Sequence, residues 1–373
     1  MNDIRIWSGP SVSTAPPEPE LTRRSFLRTG AAAVGGMAAL AAALSPLREL
    51  ATEDIPNLDE FFQKHYKEMN GAEMEAALER IRNKVEERYN VRPHLRDVKP
   101  MDGVEFVYAL NLSRCIGCRK CVHACVAENN QSRSPEIQYI RVLEMPRGTL
   151  DMEQGNHHYD HPKVPDDDHF YMPVQCHQCA NPPCVKVCPV EATWQEADGI
   201  TVIDYDWCIG CRYCEAACPY WARRFNFAKP NLPKEQLNPN MSYLSNRPRE
   251  KGVMEKCHFC LHRTREGRMP ACVEICPTGA RKFGNVLDPR SEVSEILRTK
   301  RVLILKEEVG TLPRFFYYFD ERYPNSLDPE AIAIAERLKA EEGDAYGSLP
   351  GAAGPRRDFV ASATPARWNG GCA

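Results

Sequence analysis

Sixteen cysteines gathered into four tight groups between Cys115 and Cys276 constrain this chain more than any other feature. The first group is Cys115, Cys118, Cys121 and Cys125; the third is Cys208, Cys211, Cys214 and Cys218, followed by Pro219. Both have the spacing C-x2-C-x2-C-x3-C of bacterial ferredoxins. The second (Cys176, Cys179, Cys184, Cys188-Pro189) and the fourth (Cys257, Cys260, Cys272, Cys276-Pro277) lengthen only the middle gap. Two residues between cysteines let one tight loop aim successive thiolates at one iron–sulfur cubane. Such a loop turns too sharply for helix or strand, and Gly117 and Gly210 suit that turn. The fourth cysteine follows on a helical turn and points away from its own three, toward a neighbouring cluster. Groups should therefore exchange their last cysteines in pairs.

Other uses of cysteine fit this pattern poorly. Zinc sites combine two short cysteine knuckles into one tetrahedron, without a third cysteine and a trailing Cys-Pro. Haem attachment requires Cys-x-x-Cys-His, which does not occur. A disulfide framework is expected of exported chains, but thiolates already bound to iron are not free to pair. The formal net charge of −3 gives no basic excess for nucleic acid. No segment approaches the ~20 consecutive apolar residues of a membrane-spanning helix. The remaining cysteine, Cys372, stands alone beside the C-terminus.

Proximity in sequence suggests the pairing. Groups two and three are separated only by the hairpin-sized link Val190–Trp207. One cluster would take Cys176, Cys179, Cys184 and Cys218, and its partner Cys208, Cys211, Cys214 and Cys188. Groups one and four then pair around them. One cluster would take Cys115, Cys118, Cys121 and Cys276; the other would take Cys257, Cys260, Cys272 and Cys125. Strand-like runs at Val104–Asn111, Ile137–Leu143, Ile200–Ile203 and Arg301–Lys306 flank the groups. The expected fold is α+β: two interlocked bacterial-ferredoxin-like modules holding four 4Fe–4S clusters, with a helical N-terminal segment.

The flanks carry other signals. Arg23-Arg24-Ser25-Phe26-Leu27 before the mild apolar run Gly30–Leu44 resembles a twin-arginine export signal. Ala39-Leu40-Ala41 and Ala41-Ala42-Ala43 fit small-x-small cleavage sites, though cleavage itself stays open. Leu58–Asn90 reads as two helical runs parted by Asn70-Gly71 as a stop, and Pro329–Glu342 as a charged helix. Four segments result: 1–50 for the signal, 51–100 for a helical hairpin, 101–320 for the cluster domain, and 321–373 for a tail. His177 and His258 lie inside cysteine loops, where hydrogen bonds would tune a cluster. His157, His158, His161 and His169 share a polar loop with Asp166, Asp167 and Asp168 and read as solvated surface. Arg119, Lys120, Arg212, Arg223, Arg224, Arg263 and Arg265 lie near the cysteines, where they would offset cluster charge, face a partner or serve as ordinary surface.

The motifs Cys115-Ile116-Gly117-Cys118-Arg119-Lys120-Cys121, Cys176-His177-Gln178-Cys179-Ala180-Asn181-Pro182-Pro183-Cys184, Cys208-Ile209-Gly210-Cys211-Arg212-Tyr213-Cys214 and Cys276-Pro277-Thr278-Gly279-Ala280 carry a resemblance. Over roughly residues 101–320 the chain resembles the four-cluster iron–sulfur subunits of membrane-bound molybdopterin oxidoreductases of the DMSO reductase type. That resemblance implies transfer of single electrons between a catalytic subunit, of molybdopterin type, and a polytopic, quinone-reactive membrane subunit. It implies a protein peripheral to the membrane, which the twin-arginine resemblance would place at the periplasmic face of the inner membrane; no nucleophile, acid–base pair or nucleotide loop appears, so no substrate site of its own is expected. A free periplasmic polyferredoxin shuttle and a protein with purely structural clusters are the alternatives. The exchange of fourth cysteines has a direct test: Cys276→Ser should perturb the same spectroscopic cluster as Cys115→Ser. Loss of signal from two different clusters would refute the pairing.

Overall fold

The computed structural model describes residues 69–160, 163–323 and 326–342, all within one unit of the chain, Phe62–Ala373. The signal region, residues 58–68 of the helical segment, His161 and Cys372 lie outside the described residues.

Twelve strands follow one another among the described residues: β1 (His94–Arg96), β2 (Phe106–Asn111), β3 (Arg141–Pro146), β4 (His169–Val174), β5 (Thr193–Gln195), β6 (Thr201–Ile203), β7 (Arg224–Phe225), β8 (Asn240–Ser242), β9 (Met254–Glu255), β10 (Arg281–Asn285), β11 (Val302–Leu303) and β12 (Phe315–Tyr318). Two longer helices, α1 (Gly71–Tyr89) and α2 (Lys120–Glu128), come early. Four single turns then hold cysteines or adjoin them: α3 (Pro183–Lys186), α4 (Tyr213–Ala216), α5 (Leu261–Thr264) and α6 (Ala271–Glu274). The helices α7 (Glu292–Thr299) and α8 (Pro329–Glu342) complete the order.

The sequence reading takes Asn70-Gly71 as a helix stop; the structure uses it as a start. The Asn70 side chain accepts from the backbone N–H groups of Ala72 and Glu73 at 3.0 Å, and the Glu73 carboxylate accepts from the Asn70 N–H at 2.9 Å. This capping box satisfies first-turn donors that have no helical partner. Asn90, with φ 53°, closes the other end in the left-handed region. The face of Ala77, Leu78, Ile81, Val85 and Tyr89 is buried, as the apolar periodicity predicts.

The main sheet has the order β10-β2-β12-β11. Alternation predicts β2 as a half-buried strand, yet all six of its residues are buried. The reason lies in its neighbours. Antiparallel β10 and parallel β12 flank it. On one face Ala109 packs with Val293 and Ile296 of α7. On the other, the Tyr108 ring stacks on Phe315 at 4.6 Å and meets Phe259 of the fourth cysteine group at 5.9 Å. β3 and β4 form an antiparallel ladder from Arg141↔Val174 to Pro146↔His169. β3 starts later than the apolar run Ile137–Leu143 suggests, because Tyr139 leaves the ladder to donate its hydroxyl to buried Glu255 at 2.7 Å. β5 and β6 make the expected hairpin, turning through Gly199 at φ +81°.

A buried polar network ties the first cysteine group to the fourth. Arg249 and Glu255 pair at 2.7 Å with side chains 1% exposed. Arg249 also donates to the Asn129 carbonyl, just beyond α2, at 2.7 Å. Asn226 donates to Glu255 at 2.8 Å. Removing one partner of such a pair strands a buried charge. Arg249→Met should therefore destabilise the cluster-loaded chain by about 3–5 kcal/mol, read from its denaturant midpoint. A Glu250→Gln control, on the part-exposed edge, should change it by at most about 0.5 kcal/mol.

Candidate iron–sulfur sites

Each Cys-x-x-Cys turn uses the same backbone. The residue before the second cysteine is left-handed in all four: Gly117 (φ 72°), Gln178 (φ 46°), Gly210 (φ 71°) and Phe259 (φ 52°). Glycine is required at two of them. A Cβ at Gly117 would lie 2.5 Å from the Tyr171 ring, and one at Gly210 would collide with the Gly252 carbonyl oxygen. At the other two, tertiary contacts offset a conformational cost of roughly 1–2 kcal/mol. Gln178 donates to the Cys257 carbonyl and accepts from the Thr201 N–H, both at 2.8 Å. Phe259 packs against Tyr108 and Phe283, ring centroids 5.9 and 5.4 Å away.

The cysteines assemble in fours. Cys115, Cys118, Cys121 and Cys276 line one cavity of about 350 Å³. Cys188, Cys208, Cys211 and Cys214 line another of about 340 Å³. Cys125 lies within electrostatic reach of Cys260, Cys257 and Cys272. Cys179 lies within reach of Cys176, Cys184 and Cys218. Two of the sets of four that the spacing groups thus line one cavity each, and in the other two the members lie within electrostatic reach of one another. The exchange arises where helical turns pack: α2 of group one against α6 of group four, and α3 of group two against α4 of group three.

The chemistry of these sets fits iron–sulfur cubanes. All sixteen described cysteines are free. Burial, reinforced by neighbouring thiols, pushes Cys118, Cys179 and Cys260 up to about 12 and Cys214 up to about 11. Thiolates crowd such sites only around a cationic core. A single zinc ion would draw sulfurs to ~3.8 Å of one another, from bonds of ~2.3 Å. Among the described residues no three His, Cys, Asp or Glu close in that way. The walls supply donors that stabilise thiolate and sulfide. Gln131 Nε2 donates to Cys125 Sγ at 3.3 Å, Asn129 Nδ2 to the same sulfur at 3.5 Å, and the Phe259 N–H to Cys257 Sγ at 3.4 Å. Nη1 of Arg223, on the wall of the Cys188 cavity, is buried without a protein partner. A sulfide edge would satisfy it.

The other expected residues divide. His177 and His258 are buried, and burial lowers both, His177 to about 3. They are neutral rings anchored through Nε2 to Tyr317 at 3.4 Å and Tyr205 at 3.1 Å. His157 and His158 are exposed, and His169 pairs with Asp166 at 3.1 Å. Among the expected arginines only Arg223 stands buried at a cysteine cavity; Arg119, at the cavity of Cys115, is half-buried. Arg263 is held by Glu128 at 2.8 Å and Arg265 by Asp198 at 2.7 Å, so these two brace the scaffold. Arg212 covers the Phe225 and Phe227 rings. Sequence reasoning misses Arg281, Tyr108 and Gln131, which sit on strands or loops outside the motifs, and gives no role to Lys256, which directly precedes Cys257.

Comparison with known proteins agrees with this geometry. A family model described as a 4Fe-4S dicluster domain matches residues 114–192, and a second of the same description matches 167–238 and 236–286. The chain is 36% identical to a selenate reductase subunit of Mesobacillus selenatarsenatis over 309 residues, 79% of this chain and 96% of that protein. It is 37% identical to the menaquinone reductase iron–sulfur cluster-binding subunit of Nitratidesulfovibrio vulgaris, over 57% of this chain and 88% of that one. It is 34% identical to the arsenate respiratory reductase iron–sulfur subunit of a Shewanella species, over 56% and 93% respectively. Cysteine spacing, paired helical turns and relatives of nearly full length converge: this protein belongs to the family of 4Fe–4S dicluster, electron-transferring subunits of respiratory reductases.

Proposed function

We propose that the sixteen cysteines hold four 4Fe–4S clusters, in the four sets above, and that the chain is a wire for single electrons. One end faces a catalytic subunit of molybdopterin type; the other faces a quinone-reactive membrane subunit. The bound clusters supply the one-electron chemistry. The chain positions them, excludes water and donates hydrogen bonds to their sulfurs.

The observation that carries this reading is the order of the sets. Cys121 of the first lies within reach of Cys272 of the second. Cys257 of the second lies within reach of Cys176 of the third. Cys214 of the fourth lies within reach of Cys184 of the third. Four sites in sequence, each adjoining the next, support a relay rather than isolated structural clusters. The last set is also the most open. Cys211 is exposed, and Ile209, Tyr213 and Phe227 around it are each more than 60% exposed. An apolar rim around an exposed cluster suits a subunit interface. Relatives named as reductase subunits favour a fixed subunit over a free shuttle.

The twin-arginine resemblance at Arg23-Arg24 supports export of the folded, cluster-loaded chain to the periplasmic face of the membrane. Purification through a tag on this chain, in mild detergent, tests the assembly. A molybdenum-containing subunit and a polytopic membrane subunit should co-purify, with four reversibly reducible cluster signals. An iron-loaded monomer without either would overturn the complex in favour of a shuttle, and clusters that resist reduction would overturn the wire.

A further inference from the structure

Buried arginines in this molecule fall into two classes. Arg247, Arg249, Arg263 and Arg265 each meet a carboxylate: Asp206, Glu255, Glu128 and Asp198, at 2.7–3.0 Å. Arg223 and Arg281 are just as buried, at 2% and 3% exposed, and so is Lys256 at 0%. Among the described residues none of these three forms an ion pair with a carboxylate. Burying an unpaired cation is costly, so some other negative charge must face the two guanidinium groups; burial pushes the Lys256 amine down from its ordinary value, and the neighbouring thiolates of Cys176, Cys257 and Cys184 oppose that.

Their neighbours are thiols from two sets at once. Arg281 donates from Nη2 to Cys121 Sγ of the first set at 3.3 Å. From Nη1 it donates to the Tyr108 hydroxyl at 2.8 Å, which in turn lies 3.5 Å from Cys272 Sγ of the second set. The same Nη1 donates to Gln175 Oε1 at 3.0 Å, and Gln175 Nε2 reaches Cys257 Sγ at 3.8 Å. Lys256 donates to the Cys257 carbonyl of the second set at 2.7 Å and to Gln178, inside the loop of the third set, at 3.4 Å. Arg223 lies within reach of Cys184 and Cys176 of the third set and Cys214 of the fourth. Each junction between successive sets therefore holds one buried cation.

Resting on the four-cluster reading, we infer that Arg281, Lys256 and Arg223 are positioning charges that raise the reduction potentials of the two clusters flanking each of them. The physics is a sign argument. Reduction adds one negative charge to a site already negative. A fixed cation at low dielectric stabilises that charge and screens the repulsion between neighbouring reduced sites. Removing it makes both neighbours harder to reduce and leaves distant sites alone.

Potentiometric titration followed by electron paramagnetic resonance on the intact, cluster-loaded complex tests this, with signals assigned by cysteine-to-serine variants. Arg281→Gln should raise the oxidised-to-reduced ratio about tenfold at fixed potential, ~59 mV for one electron, for the first and second sets. The fourth set should not move. Arg223→Gln should shift the third and fourth sets and spare the first. Arg281→Lys, which keeps the charge, should retain most of the wild-type potential. Should Arg281→Gln fail to assemble, Gln175→Glu places a carboxylate against the same guanidinium and should lower the same two potentials. Unchanged midpoints, equal shifts at all four sites, or a Lys variant that shifts as far as Gln would overturn the inference. Wild-type protein with fewer than four signals would instead overturn the cluster reading beneath it.

Discussion

The offset of each fourth cysteine is the constraint on which the rest of the structure depends. In each group the third cysteine stands on a helix (Cys121 in α2, Cys184 in α3, Cys214 in α4, Cys272 in α6), and the fourth follows later in that helix or just past its end, facing another group's cysteines. No group can then complete its own set of four. Groups one and four, more than a hundred residues apart, must lie side by side. The mixed sheet accomplishes this: β2 enters group one and β10 leaves group four, and the two strands pair in register from Phe106↔Asn285 to Leu110↔Arg281. The pair Arg249–Glu255 reinforces the same junction between the end of α2 and the start of group four.

Charge organises the interior alongside apolar packing. Buried carboxylates brace the arginines that hold the scaffold, and buried thiols stand opposite the remaining cations. A chain with a formal net charge of only −3 thereby keeps many charged groups out of water. The wall residues of three of the sites differ in kind. The set of Cys125 is surrounded by the amides Gln131 and Asn129, and the set of Cys121 by a guanidinium, while the set of Cys211 opens toward solvent beside Ile209 and Tyr213. Hydrogen bonds, burial and nearby charge are the quantities that set iron–sulfur potentials, so these three sets present three different environments.

Local signals in the sequence were sufficient wherever a feature depends on neighbours along the chain. Cysteine spacing grouped the ligands, Gly117 and Gly210 marked turns that only glycine accommodates, apolar periodicity placed α1, and the charged run from Pro329 placed α8. Asn70-Gly71 was ambiguous for a physical reason: an Asn side chain reaches free backbone donors at a helix start as readily as its backbone closes a helix end. The left-handed turns at Gln178 and Phe259 left no such mark. There the conformation is sustained by hydrogen bonds and ring contacts from β6, β2 and β10, distant in sequence.

The sequence by itself determined the chemistry: sixteen thiols in a pattern suited to iron–sulfur cubanes, in a family that transfers electrons. Only the tertiary structure decided the electrostatics around them. Arg223 and Lys256 stand near cysteine motifs and Arg281 just beyond one, yet nothing in their spacing separates them from the arginines that brace the scaffold. Their position between the cysteine sets follows from sheet pairing and helix packing, which bring together residues that the chain keeps far apart. Spacing along a chain can specify which atoms bind a cluster, whereas the field those atoms feel depends on what folding places behind them.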